Sequence, residues 1–168
     1  MRITELINIA FIYVVLNSEA IAEQTCHTHL NGRCLFLNMV KASHPAAQST
    51  CQLMGGQLAS RVTVDEATAV TSHAGKLNSR AEFYWIGLTQ LAGQTGLYDG
   101  WFWTIDGVKV AGDDVRWSLN EPNDGVANQA GPEDGKEDCG AMGEARGSDV
   151  VDAPCAGSFT AYALCHMP

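Results

Sequence analysis

The sequence predicts an α+β domain, helices first and strands after, and three observations carry that expectation. Helical periodicity is confined to the first half, apolar runs and a hairpin signature fill the second, and six cysteines all lie beyond the first 25 residues. Residues 23–168 are long enough for one domain with its own core.

The opening segment reads as an export signal rather than as fold. Arg2 supplies a positive start, Leu6 to Leu16 is nearly all apolar, and Ala20-Ile21-Ala22 has the small-x-small form of a cleavage site. The run is shorter than the about 20 apolar residues that span a bilayer. A signal peptide over 1–22 and a secreted, extracellular domain over 23–168 are therefore expected, with no membrane span. In an oxidising compartment an even cysteine count reads as three disulfides, although the count leaves their pairing open. Cys26-His27-Thr28-His29 lacks a second ligand pair at zinc spacing, so zinc is not expected there.

The elements follow in order. Ser43 is placed to cap a helix over 45–54 that stops at Gly55-Gly56, with Ala47, Cys51 and Met54 on one face. "QLASRV" follows as a short strand. Thr63-Val64-Asp65-Glu66 has the capping-box form, and Ala67, Val70, Ala74 and Leu77 then recur at helical spacing. "FYWIGL" (83–88) is a continuous apolar run, as in a buried strand. "WFWTIDGVKV" (101–110) turns at Asp106-Gly107 as a hairpin. No period of either kind appears from Ser118 to Lys136, and connectors of that length are usually functional or disordered. "EDCGAM", "SDVVDAPC" and "TAYALCHM" close the chain as three short strands.

Charge is concentrated. Asp113 to Asp152 holds eleven acidic and three basic side chains, whereas the rest of 23–168 balances. Nucleic acid is not an expected partner, since phosphate needs a basic surface. Such a segment is either solvated charge or a cation site.

In this order and at these intervals, several stretches resemble the C-type lectin-like domain over nearly all of residues 23–168. They are "GGQLAS" after Cys51, "WIGL" at 85–88, "GWFWTIDG" at 100–107, "EPN" at 121–123, "EDC" at 137–139, "DAPC" at 152–155 and "YALC" at 162–165. The resemblance implies a double-loop fold with two helices, short antiparallel sheets and disulfides Cys51–Cys165, Cys139–Cys155 and Cys26–Cys34. Trp85, Trp101 and Trp103 then read as core. It also implies a cis Glu121–Pro122 bond and a calcium site. Calcium takes roughly six to eight oxygen ligands at about 2.3–2.6 Å. In the family, the ion at this motif also ligates two neighbouring sugar hydroxyls, and the Glu-Pro-Asn form goes with mannose-type sugars.

Carried over residue by residue, Glu121, Asn123, Glu137 and Asp152 are the metal and carbohydrate ligands, Asp152 through its carboxylate and carbonyl. The chain departs from the family at three places. Val151 stands where an amide usually serves calcium and sugar; loss of that contact costs roughly 1–3 kcal/mol, with Asp149 as a partial substitute. Thirteen residues separate Asn123 from Glu137, which lets Glu133-Asp134 compete for the role of Glu137. An auxiliary calcium site would use Asp124, Glu137 and Asp138, but Gln90 stands where a carboxylate is needed.

The leading expectation is a secreted calcium-dependent lectin with mannose-type preference. The alternative is the same domain without productive sugar binding, recognising a protein, mineral or other surface. An enzyme is not expected. Asp113-Asp114 and Glu137-Asp138 are carboxylate pairs of the kind used in glycoside hydrolysis, but neighbouring acids in a loop are far more often plain charge. No Asn-x-Ser/Thr sequon occurs. Agglutination would require a homo-oligomer, through avidity.

Overall fold

In a computed structural model the chain is described over residues 26–76, 83–91, 94, 96–111, 114–125, 137–143 and 149–168. The expected signal peptide, Leu77, Asp113, Glu133 and Asp134 lie outside the described residues. The strands are β1 (Thr28–Leu30), β2 (Arg33–Ala42), β3 (Gln57–Leu58), β4 (Phe83–Gln90), β5 (Trp101–Trp103), β6 (Cys139–Gly143), β7 (Val150–Ala153) and β8 (Ala161–Met167). Two helices, α1 (His44–Leu53) and α2 (Val64–Lys76), lie between β2 and β4. The sheet runs β1-β2-β8-β4-β6-β7, with β3 paired to β8 and β5 to β4. One pair, β4 with β8, is parallel.

The β1–β2 hairpin is absent from the sequence-based expectation. Asn31 and Gly32 take φ of 53° and 75°, the left-handed pair that a two-residue hairpin turn requires. Beyond the turn, Leu35 and Leu37 alternate into the core. β2 then pairs with β8 from Cys34↔Met167 to Leu37↔Leu164, so the last strand lies against the first long one.

Ser43 does occupy the N-cap of α1, yet it makes no side-chain cap. The chain arrives there beside the second half of the fold instead, and the His44 N–H donates to the Cys155 carbonyl at 3.1 Å. At the other end Gly55, with φ of 82°, turns the chain so that the Gly56 N–H reaches the Cys51 carbonyl at 2.9 Å. The expected strand over 57–62 shortens to two residues. Leu58 pairs with Cys165, but the Ala59 carbonyl is already taken by the Gly87 N–H at 2.9 Å.

The capping box on α2 is realised in both directions. The Glu66 N–H donates to Thr63 Oγ1 at 3.2 Å, and the Thr63 N–H donates to Glu66 Oε2 at 2.8 Å. Glu66 is fully buried, and it is held there by Arg33, whose Nη1 lies 3.2 and 3.1 Å from its two oxygens. Arg33 Nη2 also donates to the Ser60 carbonyl at 2.7 Å. One guanidinium thus ties β2, the β3–α2 connection and the α2 cap together.

β4 divides the core. Tyr84, Ile86 and Leu88 join one apolar cluster with Leu35, Val70 and Trp103, while Trp85 joins the other with Cys51, Leu58 and Ala163. Trp85, Trp101 and Trp103 are buried, as expected of core residues. The Trp85 indole N–H donates to the Ala42 carbonyl at 2.8 Å, so its burial strands no donor. The hairpin after β5 forms as expected: Gly107 has φ of 67° and the Trp103 N–H donates to the Val108 carbonyl at 3.0 Å. All six cysteines are paired, as Cys26–Cys34, Cys51–Cys165 and Cys139–Cys155.

The buried ion pair gives a direct check on this arrangement. Glu66→Ala removes the carboxylate that both caps α2 and neutralises Arg33, and is expected to cost about 3 kcal/mol in urea unfolding. Glu66→Gln, which keeps the cap but not the charge, is expected to cost less.

Candidate functional site

The site begins where the chain leaves the hairpin and returns to the sheet edge. Trp117 bridges to Val150 in parallel, the Ser118 N–H donates to the Val150 carbonyl at 2.8 Å, and the Val150 N–H donates to the Arg116 carbonyl at 2.9 Å. This lays residues 116–118 along the outer side of β7. A turn follows, closed by the Glu121 N–H on the Ser118 carbonyl at 3.0 Å. The Glu121–Pro122 bond is cis, and Pro122 is buried. Asn120 and Asp124 take φ of 67° and 54°, a region that Asn and Asp tolerate better than most side chains.

Asp152 organises the loop. Its carboxylate accepts the Asn123 N–H at 3.0 and 2.9 Å and the Asp124 N–H at 2.6 Å, and the residue is only 6% exposed. Successive backbone N–H groups around one carboxylate are short, charge-assisted contacts. The Asn123 side chain accepts the Gly125 N–H at 2.8 Å through Oδ1, and its Nδ2 donates to Glu121 Oε2. Asp124 Oδ1 accepts the Glu137 N–H at 3.2 Å, which brings the start of the β6 segment against the loop.

Glu121, Asn123, Glu137 and Asp152, the four residues carried over from the sequence, therefore meet at one place. Asp124 joins them as a buried fifth member; the sequence reading had given it only to the auxiliary site. Its position directly after Asn123 was the available signal. Gly125 leaves room for Glu137: at φ of 73° it carries no side chain, and a Cβ there would lie 3.2 Å from the Glu137 carboxyl carbon.

The electrostatics are those of crowded anions. Burial, then the Asp152 carboxylate and, more weakly, Asp124, push the Glu137 carboxyl up to about 7, with the Gly125 N–H drawing it back. A hard cation among these oxygens would relieve the same repulsion, and the donor set is of the kind calcium takes. The cage is open as it stands. Among the described residues no three carboxylates have oxygens all within 4.8 Å; the group that does is Cys26, His29 and Cys34, whose two thiols are joined in a disulfide. The donors fit the ion by chemistry: Asn123 Oδ1 and the carboxylate oxygens are hard oxygen donors, whereas the Asn123 Nδ2 that donates to Glu121 is not a ligand atom.

The surrounding residues sort clearly. Val151, 5% exposed, packs in the cluster of Trp85, Ala141 and Ala153, on the strand face opposite Val150 and Asp152. It is a core side chain. The Asp149 carboxylate accepts from Arg116 Nε, an ion pair that commits it to the segment alongside β7. Gln90 uses its amide to donate to the Gly96 and Asp99 carbonyls at 3.1 and 2.7 Å, bracing that turn. Asp114 Oδ2 accepts the Ala111 N–H at 3.1 Å, closing its own turn.

A family model described as the lectin C-type domain matches residues 40–167. Among solved structures, human lithostathine matches with a TM-score of 0.62 at 20% identity, over 83% of this chain and 95% of that one. A calcium-independent type II antifreeze protein matches at 0.57 and 22% identity, over 83% and 88%. The C-type lectin domain of murine dendritic cell inhibitory receptor 2, solved in complex with N-glycan, matches at 0.58 and 28% identity, over 80% and 90%. No curated protein matches the chain by sequence.

Two outcomes follow from the geometry. Asp152→Ala leaves the Asn123 and Asp124 N–H groups without their acceptor, and is expected to cost about 2–3 kcal/mol in urea unfolding even with chelator present. Glu137 sets a pH dependence. Its carboxyl is raised from 4.5 to about 7 on folding, so its favourable contribution is complete below the unfolded value and is lost as pH rises through about 7. In chelator, the thermal midpoint should fall between about pH 5 and about pH 8, and Glu137→Gln should flatten that fall.

Proposed function

The chain belongs to the C-type lectin domain family, and we propose that it is a secreted, calcium-dependent carbohydrate-binding lectin with mannose-type preference. The observation that carries this is the convergence of Glu121, Asn123, Glu137 and Asp152, with Glu137 held above the usual carboxylate range by its neighbours. When bound, calcium supplies a centre to which two adjacent sugar hydroxyls can be ligated. The chain's own residues do the rest. Asp152 fixes the loop backbone through the N–H groups of Asn123 and Asp124, and Glu121 and Asn123 present an acceptor and a donor side by side. The Glu-Pro-Asn order supports equatorial 3- and 4-hydroxyls, as in mannose.

Other parts of the proposal rest on sequence and on similarity. Residues 1–22 are read as a signal peptide and 23–168 as the carbohydrate-recognition domain. Three disulfides agree with an extracellular setting, and among the described residues no helix is long and apolar enough to cross a membrane. The N-glycan complex of a 28% identical domain supports a glycan partner. A homo-oligomer would turn one weak site into useful avidity.

A second reading has its own observation. Val151 is buried among apolar neighbours and Asp149 is paired with Arg116, so neither supplies the missing amide. The same domain would then hold calcium, or none, and recognise a protein, mineral or other surface.

Calorimetry separates the two. Calcium titrated into the protein should give saturable heat, and methyl mannoside added next should give heat that galactose does not. Calcium heat without mannoside heat supports the second reading. The absence of calcium heat at millimolar concentration overturns the site assignment itself.

A further inference from the structure

We propose that Tyr98 is a specificity-determining residue whose exposed ring receives the second sugar of an oligosaccharide held at the Glu121–Asn123 site. The inference rests on the lectin reading above and deepens it from a monosaccharide to a disaccharide unit.

Four observations carry it. Tyr98 is 66% exposed, so its ring face is open to solvent. Its hydroxyl nevertheless has a fixed partner, donating to the Glu121 carbonyl at 3.3 Å. The ring is therefore tethered beside the residue that presents the acceptor for the first sugar. Leu119, 82% exposed, lies in the same turn, closed by the Glu121 N–H on Ser118. The turn that carries Tyr98 is itself anchored: the Trp101 indole N–H donates to the Leu97 carbonyl at 2.8 Å, and Gln90 holds Asp99.

An exposed aromatic ring fixed at its polar end costs little ordering entropy when it is covered, since a tyrosine has few torsions to lose. Sugars present one apolar face of C–H groups and a polar rim, which matches a ring with a hydroxyl at its edge. A sugar ligated through two hydroxyls at Glu121 and Asn123 projects its linked neighbour away from the ion, and Tyr98 is an aromatic side chain bonded directly to that loop. A lone exposed leucine would need no explanation. An aromatic ring tethered to the backbone of a ligand residue does.

The test compares methyl mannoside with mannobiose by calorimetry in calcium, on the wild type, Tyr98→Phe and Tyr98→Ala. The readout is the ratio of the two affinities within each protein. The wild type should prefer mannobiose by about three- to ten-fold, the range of one aromatic contact. Tyr98→Phe keeps the ring but loses its tether and should lower the preference only in part, while Tyr98→Ala should reduce the ratio to about one. A wild type that binds both sugars equally overturns the inference and leaves the lectin reading standing. A ratio that survives in Tyr98→Ala also overturns it, because a purely structural role would weaken both sugars alike. A wild type that binds neither sugar fails the lectin reading, and the inference with it.

Discussion

The fold depends on one closure, the pairing of β2 with β8, beside which the Cys51–Cys165 bond ties α1 to β8 across 114 residues. In the chain-entropy account, closing a loop of that order contributes about 4.7 kcal/mol by restricting the unfolded chain. Once it is made, the connections that follow are excursions from a closed frame. α1 and α2 are spent between β2 and β4, and the chain after β4 builds β5, β6 and β7 beside β4 before β8 enters between β2 and β4. The loop that carries Glu121 and Asn123 is one such excursion, and it reaches the opposite edge of the sheet, at β7. A second bond, Cys139–Cys155, ties β6 to the segment that follows β7.

Within this frame the site is built by distributing negative charge unequally. Asp152 is buried yet satisfied, because backbone N–H groups of Asn123 and Asp124 surround it. Glu121 has the Asn123 amide. Glu137 is left with the weaker compensation and carries the repulsion of the group. Asp152 holds the loop in shape, and Glu137 stores the electrostatic demand that a cation would meet. The hinge between them is Gly125, whose missing side chain lets the two segments approach.

Legibility in the sequence followed the range of the interaction. The Thr63–Glu66 capping box was readable because both partners lie within one turn, and it formed in both directions. Its long-range half, the Arg33 guanidinium 33 residues away, left no local signal. Asn31-Gly32 was a local signal that went unused, hidden beside the metal-like run of cysteine and histidines, and the longest strand was missed with it. The four candidate residues came from motif resemblance, and hydrogen bonds and charge proximity link them around one loop. It could not be read from spacing that Val151 faces the Trp85 cluster, or that Asp152 is first a backbone acceptor. Strand parity places a side chain on a face, but the tertiary partner decides whether that face is core or site.

The closed frame also has a mechanical meaning. A sulfur–sulfur bond between residues 51 and 165 is a shunt for force. Tension applied between points before Cys51 and after Cys165 passes through that bond and the β2–β8 ladder, and the intervening chain stays slack. The Glu121 loop, Glu137 and Asp152 all lie within the slack portion. A ligand held there while the domain is pulled by its ends would feel a platform whose shape the load does not reach.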